Sequence, residues 1–159
     1  LFQKGDIFIM EKIKDFLAAP DKKQDEFWES DVLVWIDWRE YDEYIIQYFN
    51  EKLPDEDKIS FECVDIDKKR GVDILLKKNG VETPIPYADD FMDRDITIKS
   101  VQKYLYPKYQ IRLYIDSSGC DTLAFCIYPT EQWNQLEQEF GAEKVASYFQ
   151  PIKANSKMF

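Results

Sequence analysis

The stretch VLVWIDWREYDEYIIQYFNEKL, residues 32–53, decides how this chain is read. It opens with Val32, Leu33, Val34, Trp35 and Ile36, a run that places apolar side chains on both faces of an extended strand. A strand of that kind is expected in the middle of a sheet, covered on both sides. Tyr41, Tyr44, Ile45, Tyr48, Phe49 and Leu53 then recur at helical spacing, and Pro54 closes the run. Asp37 stands at the junction. The C-terminal end of a strand is where α/β folds place functional acids. Yet Asp37-Trp38-Arg39-Glu40 also has the spacing of a capping box, with Glu40 reaching back toward the start of the helix. A cap is the commoner arrangement at such a junction, so Asp37 is expected to be a fold device rather than a catalyst.

Toward the N-terminus, Ile9, Ile13, Phe16 and Leu17 mark an amphipathic helix that Ala18, Ala19 and Pro20 bring to an end, followed by an acidic connector. Toward the C-terminus, Ile59, Phe61 and Cys63 alternate as a strand. The segment VDILLKKNGVETPIPY, residues 72–87, carries the most specific local signal, Asn79-Gly80, the pair that makes a two-residue type I′ hairpin turn. That turn sets Lys78 opposite Val81. Pro84 and Pro86 then fall where their missing N–H groups would have pointed away from the partner strand, so residues 81–87 are predicted to be a sheet edge. The same register puts Val72, Ile74, Leu76, Thr83, Ile85 and Tyr87 on one face and pairs Lys77 with Glu82 on the other.

Beyond ADDFMDRD, Ile98, Val101 and Leu105 predict a short helix ended by Pro107. Ile111, Leu113 and Ile115, then Leu123, Phe125 and Ile127, predict a second hairpin around the turn at 116–121, with one strongly apolar face. Thr130 is the expected N-cap of a helix built on Trp133, Leu136, Glu137 and Phe140 and stopped at Gly141. A last helical turn with Val145 and Phe149 ends at Pro151. The pattern is α+β: a single domain over residues 1–159, with a mostly antiparallel sheet and helices packed on at least one face. The chain begins with Leu1 rather than Met, so residues 1–4 read as a trimmed or appended start.

Composition narrows the function classes. With 159 residues, 45% of them hydrophobic and 16% aromatic, one real core can form without crosslinks. Three cysteines, Cys63, Cys120 and Cys126, form no C-x-x-C pair, and reduced thiols in a cytoplasm are expected. The absence of histidine removes Ser-His-Asp and Cys-His catalysis and the ordinary zinc sites. The run DIFIMEKIKDFLAA is broken by Glu11, Lys12, Lys14 and Asp15, so neither a signal peptide nor a membrane span is expected there. The net charge of −10 is concentrated: residues 20–57 hold 13 of the 31 acids but 4 of the 21 bases. Such a field disfavours nucleic acid and anionic membrane and favours a basic protein surface or a cation.

The W-x-D-W strand end, Trp35 to Trp38, leading into an acidic helix, and the later YQIRLYIDSSGCDTLAFCIYPTEQWNQLEQEFG together resemble a class of small bacterial domains of unknown function. The resemblance would cover most of residues 32–149 and implies a fold but no catalytic residues. In size and composition the chain is also similar to the acidic α+β immunity proteins that pair with bacterial toxins.

Four sets of residues are candidates for chemistry or recognition. Asp89, Asp90 and Asp93 of DDFMD are the best-placed carboxylates for a divalent metal, which, with Asp116 or Asp121, would serve an enzyme acting on a phosphate or nucleotide. Acids at a helix start also suit the helix dipole with no ion at all, and no Lys or Arg loop for a phosphate accompanies them. Ser118 and Cys120 lie in DSSGCD beside acids that would weaken a thiolate, and Asp, Ser and Gly between strands are ordinary turn chemistry. Cys63 and Cys126 are expected as small buried apolar residues. Residues 27–49 hold eight of the 25 aromatics. Trp38, Glu40, Tyr41, Asp42, Glu43 and Tyr44 are read from them as the residues that would meet a protein partner, the alternative being a core with a solvated acidic rim. The expected function is a non-catalytic protein-binding module with no cofactor, such as an immunity or inhibitor protein, with the metal-dependent enzyme as the alternative. The sequence leaves the oligomeric state open.

Overall fold

The computed structural model describes residues 4–159, so the expected start at 1–4 lies, apart from Lys4, outside the described residues. In chain order the first elements are α1 (Lys4–Ala18), α2 (Pro20–Trp28), β1 (Val34–Asp37), α3 (Asp42–Asn50), β2 (Ser60–Asp65), β3 (Val72–Lys78) and β4 (Val81–Pro84). They are followed by α4 (Arg94–Leu105), β5 (Tyr109–Tyr114), β6 (Thr122–Pro129), α5 (Thr130–Phe140), α6 (Ala142–Tyr148) and β7 (Phe149–Pro151). The class is α+β, with two antiparallel sheets, one of four strands in the order β1-β6-β5-β7 and one of three in the order β2-β3-β4.

The four-stranded sheet is a middle layer. Ile111, Leu113, Leu123, Phe125 and Ile127 point to one side, where they meet Ile45 and Phe49 of α3, Ile98 and Val101 of α4, and Ile74 and Leu76 of the second sheet. Tyr114, Ala124, Cys126 and Tyr128 point to the other, against Ile13, Phe16 and Leu17 of α1, Phe27 of α2, Trp133 and Leu136 of α5 and Val145 of α6. Aromatic rings knit this second side: Phe16 stacks on Phe27 at 4.5 Å and meets Tyr114 edge-on at 5.7 Å. Among the described residues, no helix is long and apolar enough to cross a membrane.

The Asn79-Gly80 turn forms as its residues require. Both have positive φ, 53° and 76°, and Lys78 lies opposite Val81. The Ile85 N–H donates to the Ile74 carbonyl at 2.9 Å, which carries the register past Thr83 and leaves the nitrogens of Pro84 and Pro86 on the open side. β4 is an edge, and Lys77 sits 3.6 Å from Glu82 across the hairpin.

Several elements depart from the pattern in the sequence. The acidic connector is largely helix α2, because Pro20, which ends α1, also has the fixed φ suited to the first position of the next helix. The strand in 32–36 begins at Val34 and is an edge: β1 pairs with β6 alone, yet helices and the second sheet cover both its faces. Thr130 is the first residue of α5 rather than its cap, with Pro129 before it. The final strand β7 was not signalled at all. It is three residues long and ends in proline, too short to show alternation, and it pairs with β5 at the opposite edge of the sheet.

Candidate functional site

The site read from the sequence lies where β1 gives way to α3. Asp37 is not a cap. α3 begins at Asp42, with Tyr41 before it in extended conformation and no side-chain cap. Asp37 instead closes a tight turn: its Oδ1 accepts from the Arg39 N–H at 2.8 Å and from Nε at 3.0 Å, and its Oδ2 from Nη2 at 3.1 Å. The Arg39 guanidinium holds the Asp37 carboxyl down at about 2, so this acid cannot take up a proton near neutrality. The Trp38 N–H donates to the Asp121 carbonyl at 2.9 Å, fixing the turn to the start of β6.

This anchoring sets out the aromatics. Trp38, Tyr41 and Tyr44 are 48%, 50% and 44% exposed, and the Tyr41 and Tyr44 rings meet edge-on at 6.1 Å. The Arg39 guanidinium lies 5.7 Å from the Trp38 ring. Glu40 is half-buried, accepting from the Tyr41 N–H at 3.1 Å and the Tyr48 hydroxyl at 2.9 Å. Glu43 is also half-buried, with Oε2 turned inward and without a hydrogen-bond partner.

Asp42 corrects the expected contact set, because it is wholly buried. Its carboxylate faces α4, accepting from the Thr97 hydroxyl at 2.7 Å and the Asp93 N–H at 3.1 Å. Burial raises its pKa, and these two hydrogen bonds offset part of the shift. Asp42 thus joins two helices and is closed to any partner.

The DDFMD acids do not combine. Asp93 caps α4 by accepting from the Ile96 N–H at 3.0 Å, Asp89 accepts from the Phe91 N–H at 3.0 Å, and Asp90 pairs with Lys68 at 3.2 Å. Buried Arg70 holds their loop, donating to the Asp89 carbonyl through Nη1 at 2.5 Å and to the Asp90 carbonyl through its backbone N–H at 2.8 Å. Among the described residues, no group of three His, Cys, Asp or Glu side chains could hold a metal ion. Asp116 accepts from the Tyr114 hydroxyl at 3.0 Å.

The thiols are unpaired. Cys126 is buried as expected, which pushes its thiol up to about 12. Cys63 is exposed rather than buried, because it lies on β2, an edge strand that is exposed over most of its length. Partial burial of its sulfur, with Glu43 and Asp65 nearby, raises its pKa, the opposite of what a nucleophile needs. Cys120 is exposed on the β5–β6 turn. That turn is built on Ser117, a residue the sequence did not single out: its buried hydroxyl donates to the Tyr114 carbonyl at 2.7 Å and accepts from the Ala124 N–H at 2.9 Å.

A second concavity, absent from the sequence reading, lies between β4, α4 and the segment after β7. Its one legible trace is Ile96, Lys99 and Lys103, spaced to share one helix face. No protein-family model, curated protein or solved structure matches this chain.

Proposed function

We propose that the chain is a non-catalytic protein-binding module that presents Trp38, Tyr41 and Tyr44 within an acidic field to a basic partner. An immunity or inhibitor protein held against a toxin is its most concrete form, and three unpaired thiols suit a reducing cytoplasm. The observation that supports this reading is the exposure of these three aromatics, 48%, 50% and 44%, on one short stretch anchored by the Asp37 turn. Single exposed apolar residues are ordinary, whereas rigid aromatics set close together and ringed by charge are what interfaces use as anchors. The charge of residues 20–57 would speed encounter with a basic surface and make affinity fall with salt.

The test takes as its probe the product of any neighbouring gene found to encode a basic C-terminal domain. Purified with that product, the parent chain binds at low salt and protects cells from it. The variant carrying Trp38→Ser, Tyr41→Ser and Tyr44→Ser keeps its melting temperature and loses affinity by about a hundredfold or more, the scale of two hot-spot contacts. Unchanged binding by that variant overturns the assignment of the surface. Failure to recover any protein partner at low salt removes the proposal itself.

A further inference from the structure

We propose that the cleft between β4 and α4 is a binding site for a small amphiphilic anion, a molecule with an apolar body and a carboxylate or sulfonate head. The cleft encloses about 810 Å³, inside the range of roughly 300–1,000 Å³ typical of small-molecule sites. Its walls are apolar, from Leu76 on β3, Pro84 and Pro86 on the hairpin arm, Ile96 on α4 and Ile152 after β7. Tyr104 and Tyr106 add aromatic surface at one end, Tyr106 being 70% exposed.

The charge around these walls reverses that of the rest of the chain. Lys78, Lys99, Lys103 and Lys153 line the cleft and no acid does, in a chain with 31 acids and 21 bases. α4 explains half of this: Thr97, Ile98, Val101 and Leu105 turn into the core, so Ile96, Lys99 and Lys103 share the face that looks into the cleft. Lysines on the outer face of a helix are commonplace. Here they converge with two others, from β3 and from the C-terminal segment, on an apolar wall. Among the described residues, no carboxylate pairs with Lys99, Lys103 or Lys153, whereas Lys12, Lys58, Lys68, Lys77 and Lys108 all have one. Lys78 donates to the Tyr104 carbonyl and lies 4.9 Å from the Tyr104 ring, which holds its ammonium at the rim.

A peptide strand is the poorer occupant. The outer side of the hairpin arm lacks the N–H groups of Pro84 and Pro86, so an added strand would find few donors there. A compact anion needs none: its head meets the ammonium groups and its body covers Ile96, Pro84 and Ile152. This site is separate from the aromatic surface proposed above and stands without it.

The probe is anilinonaphthalene sulfonate, with uncharged phenylnaphthylamine as its counterpart, followed by fluorescence and by backbone amide shifts of the native chain. We expect one site, with shifts concentrated at Ile96, Lys99, Lys103 and Ile152. Binding of the sulfonate should weaken about tenfold in the Lys99→Gln, Lys103→Gln double variant, as when two partly exposed charge pairs are lost, with an unchanged melting temperature. The uncharged probe should bind at least as weakly to the parent as the sulfonate does to the variant. Dodecanoate should displace the sulfonate. Equal affinity for both probes, shifts centred elsewhere, or no effect of the double variant overturns the proposal.

Discussion

In the four-stranded sheet β6 is buried at nearly every position, with Leu123, Phe125 and Ile127 facing one core cluster and Ala124, Cys126 and Tyr128 facing the other. In the three-stranded sheet only one face is dry: Ile74 and Leu76 are buried, Leu75 and Lys77 are half-exposed, and β2 is exposed over most of its length. The first sheet is therefore a middle layer and the second an outer wall. The second leans on the first through a shared cluster that contains Ile74, Leu76, Ile85, Phe125 and Ile127. Both proposed binding surfaces occur where this layering stops, one at the end of β1 and one along the rim of β4.

The difference can be broken at its centre. Phe125→Ala removes a fully buried ring from the face between the sheets and should cost about 3–5 kcal/mol in urea denaturation. A loss below about 1 kcal/mol would mean that the layers are not tightly joined there. Gly80→Val forces a β-branched residue to positive φ and should cost about 1–2 kcal/mol. Because the hairpin shares the cluster with Phe125, that loss should appear in a single transition. Separate transitions by far-UV circular dichroism and tryptophan fluorescence would show instead that the wall unfolds alone.

A smaller effect, whose sign is the test, comes from Asp42 beneath the α3–α4 contact. Burial raises its folded pKa above the unfolded value, so the native state binds the additional proton. Stability should fall as pH rises from the ordinary carboxylate range through that raised value. Asp42→Asn should remove this slope, gaining on the parent as pH increases. An unaltered slope would assign the titration to another group. Asp37 has the opposite sign: its contribution is present above the ordinary carboxylate range and is lost as pH falls toward about 2. The smallest change should be Val64→Thr on exposed β2, within about 0.5 kcal/mol of the parent by thermal melting.

What could be seen in the sequence followed from how local the cause was. Asn79-Gly80 and the alternation on either side fixed a register through φ angles and a period of two, and tertiary structure had nothing to override. The capping box at Asp37 failed because a competing partner, Arg39, stands two residues away and takes both carboxylate oxygens. α2 was hidden because only Phe27 is buried along it, so no apolar stripe betrays the helix. Asp42 reads as one more surface acid of a charged helix, and nothing nearby in sequence announces that Thr97 lies opposite. The lysine cleft is the extreme case, since Lys78, Lys99, Lys103 and Lys153 are brought together only by the packing of three separate segments.

The sheet edges decide how the protein behaves when crowded with copies of itself. β1 has four residues, β7 three and β4 four with a terminal proline, each too short or too poor in donors to template another strand. β2 is the exception, six residues long with Val64 exposed. Along it lie Glu62 and Asp65, so two copies pairing there would bring like charges together. Among the described residues, β2 is thus the edge long enough to take another strand, and its own acids oppose that pairing between copies.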